Sequence, residues 1–238
     1  PFAFLSSGTW SLLGVETSKP VIDAKTLGHN LTNEGGVCGT IRLLKNIMGL
    51  WLVQQCKATW KAAGEDVSYE DLTAQAQAAP AFAAVVNPDD PLFFAPGDMP
   101  SRLRKYCSKT HQKAPETKGG LVRVALESLA LAYRRTVDML ENVTGVRPAA
   151  LHIVGGGSQN NLLNQFAANA TGIPVVAGPV EATAAGNILM QMLARGAIRS
   201  LAEGREVIRR SFPVRTFKPQ EADAWAEAYA GFRKMCER

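Results

Sequence analysis

The sequence has no cysteine pair, no histidine cluster and no long hydrophobic run, and each absence removes a class of protein. Its four cysteines (Cys38, Cys56, Cys107, Cys236) stand far apart with no CxxC, and its three histidines (His29, His111, His152) are equally dispersed. A zinc site needs clustered ligands, so no metal centre of that kind is indicated and reduced thiols are expected. No stretch reaches the roughly 18 consecutive apolar residues that span a bilayer, and no signal peptide opens the chain. The expected setting is the cytoplasm, away from membranes. Charge is sparse too, with a fifth of residues charged and a net of +5. The one basic cluster, Arg102 to Lys118, lacks the interleaved aromatic row that a base-stacking platform needs. It reads as a solvated face, and no nucleic-acid partner is expected.

Several catalytic signatures are missing as well. There is no GxGxxG, no GxxxxGK[ST] and no GxSxG, which disfavours dinucleotide binding, P-loop hydrolysis and a serine-nucleophile elbow. Carboxylates form no distinctive pair. His152 lies inside a strand pattern, where a core histidine is the common finding. What remains is a chain of 238 residues, 46% apolar, without repeats or an evident linker. That length and composition fit a single soluble-type α/β domain over residues 1–238. Its first residues, Pro1-Phe2-Ala3-Phe4-Leu5, already read as a buried strand without an initiator methionine, as expected of a piece of a longer polypeptide.

Along the chain, residues 2–6 and 10–15 read as a hairpin around Ser7-Gly8-Thr9. Residues 17–40 read as a long polar loop. From Thr40 to about Ala63, apolar residues at three- and four-residue spacing predict one amphipathic helix, capped by Thr40 and stopped by Gly64. Ser68 with Asp71 opens a further helix that ends before Pro80. Residues 80–116 hold six of the thirteen prolines, so irregular loops with one short strand are expected there. Lys118 to about Asn142 is a long helix closed by Gly145. Then comes an α/β cadence: strand 151–154, helix 158–171, strand 173–176, helix 181–195. This implies parallel pairing with right-handed crossovers. Two helices, about 201–211 and 220–236, finish the chain.

The strongest local signal is Gly155-Gly156-Gly157 between a buried strand and a helix. Glycines there let a backbone approach a ligand closely, and the helix start offers free N–H groups and a positive dipole. A plain strand-to-helix turn capped by Ser158 would need only one glycine. Ser6-Ser7-Gly8-Thr9 could wrap a phosphate with main-chain and hydroxyl donors, although such residues also populate ordinary turns. Small residues from Glu181 to Asn187 read as close helix packing. The residues by themselves reach only as far as a nucleotide- or phosphate-binding α/β domain.

Three segments together are similar to one family. Phe4-Leu5-Ser6-Ser7-Gly8-Thr9-Trp10-Ser11-Leu12-Leu13-Gly14 resembles the phosphate hairpin that opens the second domain of FGGY carbohydrate kinases, in their L-rhamnulose branch. Asn30 to Gly36, followed by Arg42 to Trp51, resembles that branch's next segment. Leu151 to Asn160 with Ala177 to Thr183 resembles its adenosine motif and following helix. The resemblance implies a ribonuclease-H-like fold of the actin and hexokinase superfamily, with a mixed sheet flanked by helices. It implies ATP and Mg²⁺ as cofactors and phosphorylation of L-rhamnulose at its 1-hydroxyl. Gly8 and Thr9 would hold the ATP phosphates, and Gln54 would contact ATP. Gly155, Gly156, Gly157 and Asn160 would line the adenosine site, and Asn46 would contact the sugar. The general-base Asp and the first phosphate loop of the family lie upstream of anything matched here. The expected partner is therefore an N-terminal sugar-binding domain, and no catalytic base is assigned within 1–238. A stand-alone nucleotide-binding module, or a kinase for L-fuculose or xylulose, remains the alternative.

Overall fold

In the computed structural model, which describes residues 1–237, the chain opens with the expected hairpin. β1 (Ala3–Ser7) runs antiparallel to β2 (Trp10–Thr17), with Ser7 opposite Ser11. β1 is also paired in parallel with β5 (Leu151–Val154), Ser6 standing opposite Val154. With β3 (Thr32–Gly35), β4 (Ile41–Met48), β6 (Val175–Ala177) and β7 (Arg215–Phe217), they form one sheet of seven strands in the order β3-β4-β2-β1-β5-β6-β7. The β1–β5 and β5–β6 pairs are parallel and the others antiparallel. The mixed sheet flanked by helices is the fold class expected from the sequence.

Side chains alternate across a strand, and β2 shows what each sheet face meets. Ser11 points to α5 (Lys118–Thr144), where its hydroxyl lies 2.8 Å from the Tyr133 hydroxyl. Glu16, on the opposite face, pairs at 2.8 Å with Arg205 of α8 (Leu201–Ser211), whose guanidinium also sits over the Phe2 ring. α5 is central because its small first turn lets helices approach it closely. A Cβ at Gly119 would lie 2.6 Å from the Gln75 carbonyl of α3 (Tyr69–Ala78). Thr117 caps α5, and left-handed Gly145 ends it as the sequence suggests for the glycine. α6 (Asn161–Thr171) and α9 (Ala222–Cys236) extend the layer, with Trp225 buried against Phe82 and Phe166. α7 (Ala182–Ala194) precedes α8. Among the described residues no helix is long and apolar enough to cross a membrane.

Four expectations need correction. Residues 41–48 form strand β4, and the helix α2 begins only at Trp51, running to Ala62. β4 is covered on both faces, so Leu43, Leu44, Ile47 and Met48 are all buried, and a doubly buried strand mimics helical spacing. The loop 17–40 contains α1 (Ala24–Gly28), capped by Asp23, and β3. The proline-rich stretch has no strand. It holds α4 (Met99–Lys109), where Asp98 caps Ser101 N–H and Pro100 lies in the first turn, which tolerates proline. The helix drawn from Ser158 is a 3₁₀ turn over Gly156–Gln159, then α6 beginning at Asn161.

Candidate functional site: a glycine-lined cleft

Because β1 and β5 are parallel neighbours, the turns leaving their carboxyl ends lie side by side. These are the Gly8 hairpin tip and the Gly155–Gly157 turn. Their closeness is steric as well as topological. A Cβ at Gly157 would lie 2.0 Å from Ser7 Oγ, and one at Gly155 would lie 2.9 Å from the Ser7 carbonyl oxygen. Gly155 also has φ of 84°, a left-handed conformation that favours glycine. Ser7 is 1% exposed, and its hydroxyl has no hydrogen-bond partner among the described residues. Below it, burial pushes the Tyr133 phenol up to about 12, so that group stays neutral.

The hairpin tip is clamped from the other side by the β4–α2 junction. Leu50 N–H donates to Gly8 O at 2.9 Å, while Gly49 and Trp51 N–H donate to Thr9 O at 3.0 and 3.2 Å. A Cβ at Gly49 would lie 2.8 Å from both acceptor oxygens. Gly49 is a clamp residue that helical spacing over 41–48 conceals in the sequence. Thr9 Oγ1 donates to Gln54 Oε1 at 3.1 Å, which ties the tip to α2. Gly8 N–H is used internally, donating to Trp10 O at 2.9 Å. The N–H groups of Thr9, Gly156 and Gly157 have no partner among the described residues.

The two turns open on one cleft of about 780 Å³. Gly8, Gln54, Gly156, Gly157 and Asn160 all line it, and the first turn of α6 completes that wall. Asn160 has a structural duty, accepting Leu163 N–H at 3.0 Å as the α6 cap. Ser158 Oγ donates to Gly155 O at 2.7 Å and so stiffens the turn. Gly155 and Thr9 adjoin the lining residues. Asn46 lies elsewhere. It is exposed on β4 opposite Leu12, on the sheet face away from Tyr133. The far wall, which sequence reasoning missed, is α3, and a run of turn chemistry ahead of it (Gly64 to Ser68) gave no hint of a ligand. No lysine or arginine lines the cleft, and Glu70 is its one charged lining residue among those described.

His152 and Cys56 are structural. Burial depresses the His152 imidazole below its usual range, and its ring packs edge-on against Phe2 with centroids 5.1 Å apart. All four cysteines are unpaired, and burial pushes the Cys56 thiol up to about 12, which leaves it unreactive.

Residues 3–195 match the model of the FGGY family of carbohydrate kinases, C-terminal domain. The chain belongs to that family. It is 51% identical over 237 residues to a rhamnulokinase from Bacteroides thetaiotaomicron, covering 100% of this chain and 48% of that protein. It is 41% identical over 222 residues to a rhamnulokinase from Bacillus subtilis, covering 93% of this chain and 45% of that one. The chain thus spans about half the length of the curated relatives it matches. A ligand-bound xylulose kinase from Lactobacillus acidophilus superposes with a TM-score of 0.71 at 18% identity, over 98% of this chain and 46% of that one. Glycerol kinase from Plasmodium falciparum with ADP gives 0.68 at 18% identity, over 99% and 46%. These neighbours carry the actin and hexokinase type of fold that the sequence motifs implied.

Proposed function

We propose that this chain is the ATP-holding half of a carbohydrate kinase that phosphorylates L-rhamnulose at its 1-hydroxyl. The main support is the lateral pairing of the Gly8 tip with the Gly155–Gly157 turn on a single cleft. Phosphoryl transfer asks little covalent chemistry of a protein and depends on in-line positioning and donors around the developing charge. Thr9 offers its N–H group for phosphate oxygens, while Gly156, Gly157 and the amino end of α6 line the adenosine side of the same cleft. The absence of cationic side chains in the lining leaves charge neutralisation to Mg²⁺. Among the described residues no group of three or more His, Cys, Asp or Glu could hold a metal, so the ion would arrive on the nucleotide's phosphates. Gln54 orients Thr9, and Asn46 is assigned to the sugar on the outer face of β4.

Relatives bearing the name rhamnulokinase support L-rhamnulose as the sugar. The general base and first phosphate loop would come from a separate N-terminal domain, consistent with the greater length of those relatives. Two measurements test this. The 238-residue chain should bind Mg·ADP in calorimetry yet show no ATP-dependent phosphorylation of L-rhamnulose in a coupled assay. Turnover by the chain alone would sink the idea that the base lies outside it. The chain joined to its upstream coding region should prefer L-rhamnulose over L-fuculose and xylulose, and equal or better use of either competitor would overturn the sugar assignment.

A further inference from the structure

We infer that Tyr69 is the stacking platform for the nucleobase in this cleft, an assignment that rests on the nucleotide reading above. The Gly8 tip is assigned to the phosphate end and the Gly155–Gly157 turn to the adenosine side, and α3 forms the facing wall. Tyr69, Thr73 and Gln77 recur at four-residue intervals, so they share one helix face, and all three line the cleft. Eight residues at the helical rise make that stripe about 12 Å long. Tyr69 is the single aromatic among the lining residues described. It is 51% exposed, directly after the Ser68 cap.

The ring is also braced. The Lys57 ammonium sits over it, 5.4 Å from the centroid. Lys57 is held in turn by Asp66 Oδ1 at 3.0 Å and by the Val67 carbonyl oxygen. Lys57 stands one helical turn beyond Val53, itself a cleft residue on α2. The ring therefore carries a fixed cation over one face, while half of the residue's surface stays exposed. A large aromatic side chain kept in place and half exposed suits stacking on a flat ring. Every base has a π-face, so such a platform tells bases apart by area rather than by edge pattern. A purine is favoured over a pyrimidine, with adenine and guanine nearly alike.

The test is calorimetric titration of the folded chain with Mg·ADP, Mg·GDP, Mg·UDP and inorganic tripolyphosphate. Tyr69→Ala should weaken ADP and GDP about tenfold, the scale of one base–aromatic stack. Tyr69→Phe should stay within about twofold of wild type. Tripolyphosphate, which has no base, should bind all three proteins alike. Far-ultraviolet circular dichroism and melting confirm that the variants fold. If Tyr69→Ala binds ADP as wild type does, the platform assignment is wrong while the nucleotide reading stands. If wild type binds neither ADP nor tripolyphosphate, both are overturned. An equal loss for ADP and tripolyphosphate would also overturn the assignment, since it would mean a general distortion of the cleft.

Discussion

Gly157→Ala should weaken Mg·ADP binding by at least about tenfold and lower stability by about 1–3 kcal/mol, the usual cost of overpacking. The new methyl would stand 2.0 Å from Ser7 Oγ, 2.6 Å from Ser7 Cβ and 3.1 Å from the Ser7 carbonyl oxygen. Ser7 cannot move aside, because it is buried on β1 between β2 and β5. The glycine turn must then move off the hairpin, separating the two halves of the nucleotide site. Ser7→Gly with Gly157→Ala removes the two shortest contacts, so the double variant should recover much of the loss. A favourable coupling in that cycle is the signature of direct contact. Gly156→Ala gives a contrast, because no heavy atom lies within 4 Å of a Cβ there. Its stability should stay within about 0.5 kcal/mol of wild type, while the methyl takes up cleft space and weakens ADP. Chemical denaturation and calorimetry on these variants and on Ser7→Gly alone, which closes the cycle, separate packing from binding.

Arg123→Ala should cost about 3–5 kcal/mol, the range for stripping the partner from a buried charge. Arg123 Nε donates to Glu127 Oε1 at 2.7 Å, and Glu127 is 0% exposed. The same guanidinium donates to the Ala76, Gln77 and Ala79 carbonyl oxygens at 3.2, 3.0 and 2.9 Å, closing the end of α3. Glu127 Oε2 also accepts Phe82 N–H at 2.9 Å. Without Arg123, the far wall of the cleft loses its carboxyl-end cap, and ADP affinity should fall along with stability.

The defect should depend on pH. Burial already raises the Glu127 carboxyl above its ordinary range despite the Arg123 charge. Removing Arg123 raises it further. A native state that holds a proton more tightly than the unfolded chain gains stability as pH falls towards the unfolded value, and loses it as pH rises through the folded one. The gap between Arg123→Ala and wild type should therefore narrow on acidification from neutrality. A gap that widened would contradict the burial of Glu127 as a charged partner.

The parts of the site that were legible in the sequence are those written in local chemistry. Gly8 between hydroxyl residues marked the hairpin, and three glycines after Leu151-His152-Ile153-Val154 marked the second turn. Gly145 marked the end of α5 closely. Strand β4 was hidden because two covered faces put Leu44, Ile47, Met48 and Trp51 at helical spacing. α4 was hidden by prolines that are harmless in a first turn. β7 is only three residues long, Arg215–Phe217, and owes its existence to the edge of β6. Gly49, Ser7 and Tyr69 matter through distant partners, at the hairpin tip, at Gly157 and at Lys57. No local pattern records such pairings.

The most direct test is an amide nuclear magnetic resonance titration of the chain with Mg·ADP. Shifts of Thr9 on one turn and of Gly156 and Gly157 on the other should saturate together, with a single dissociation constant. Movement of one turn without the other would contradict a shared grip on one nucleotide. So would shifts confined to the separate cavity beside Phe2, Glu16 and Arg205.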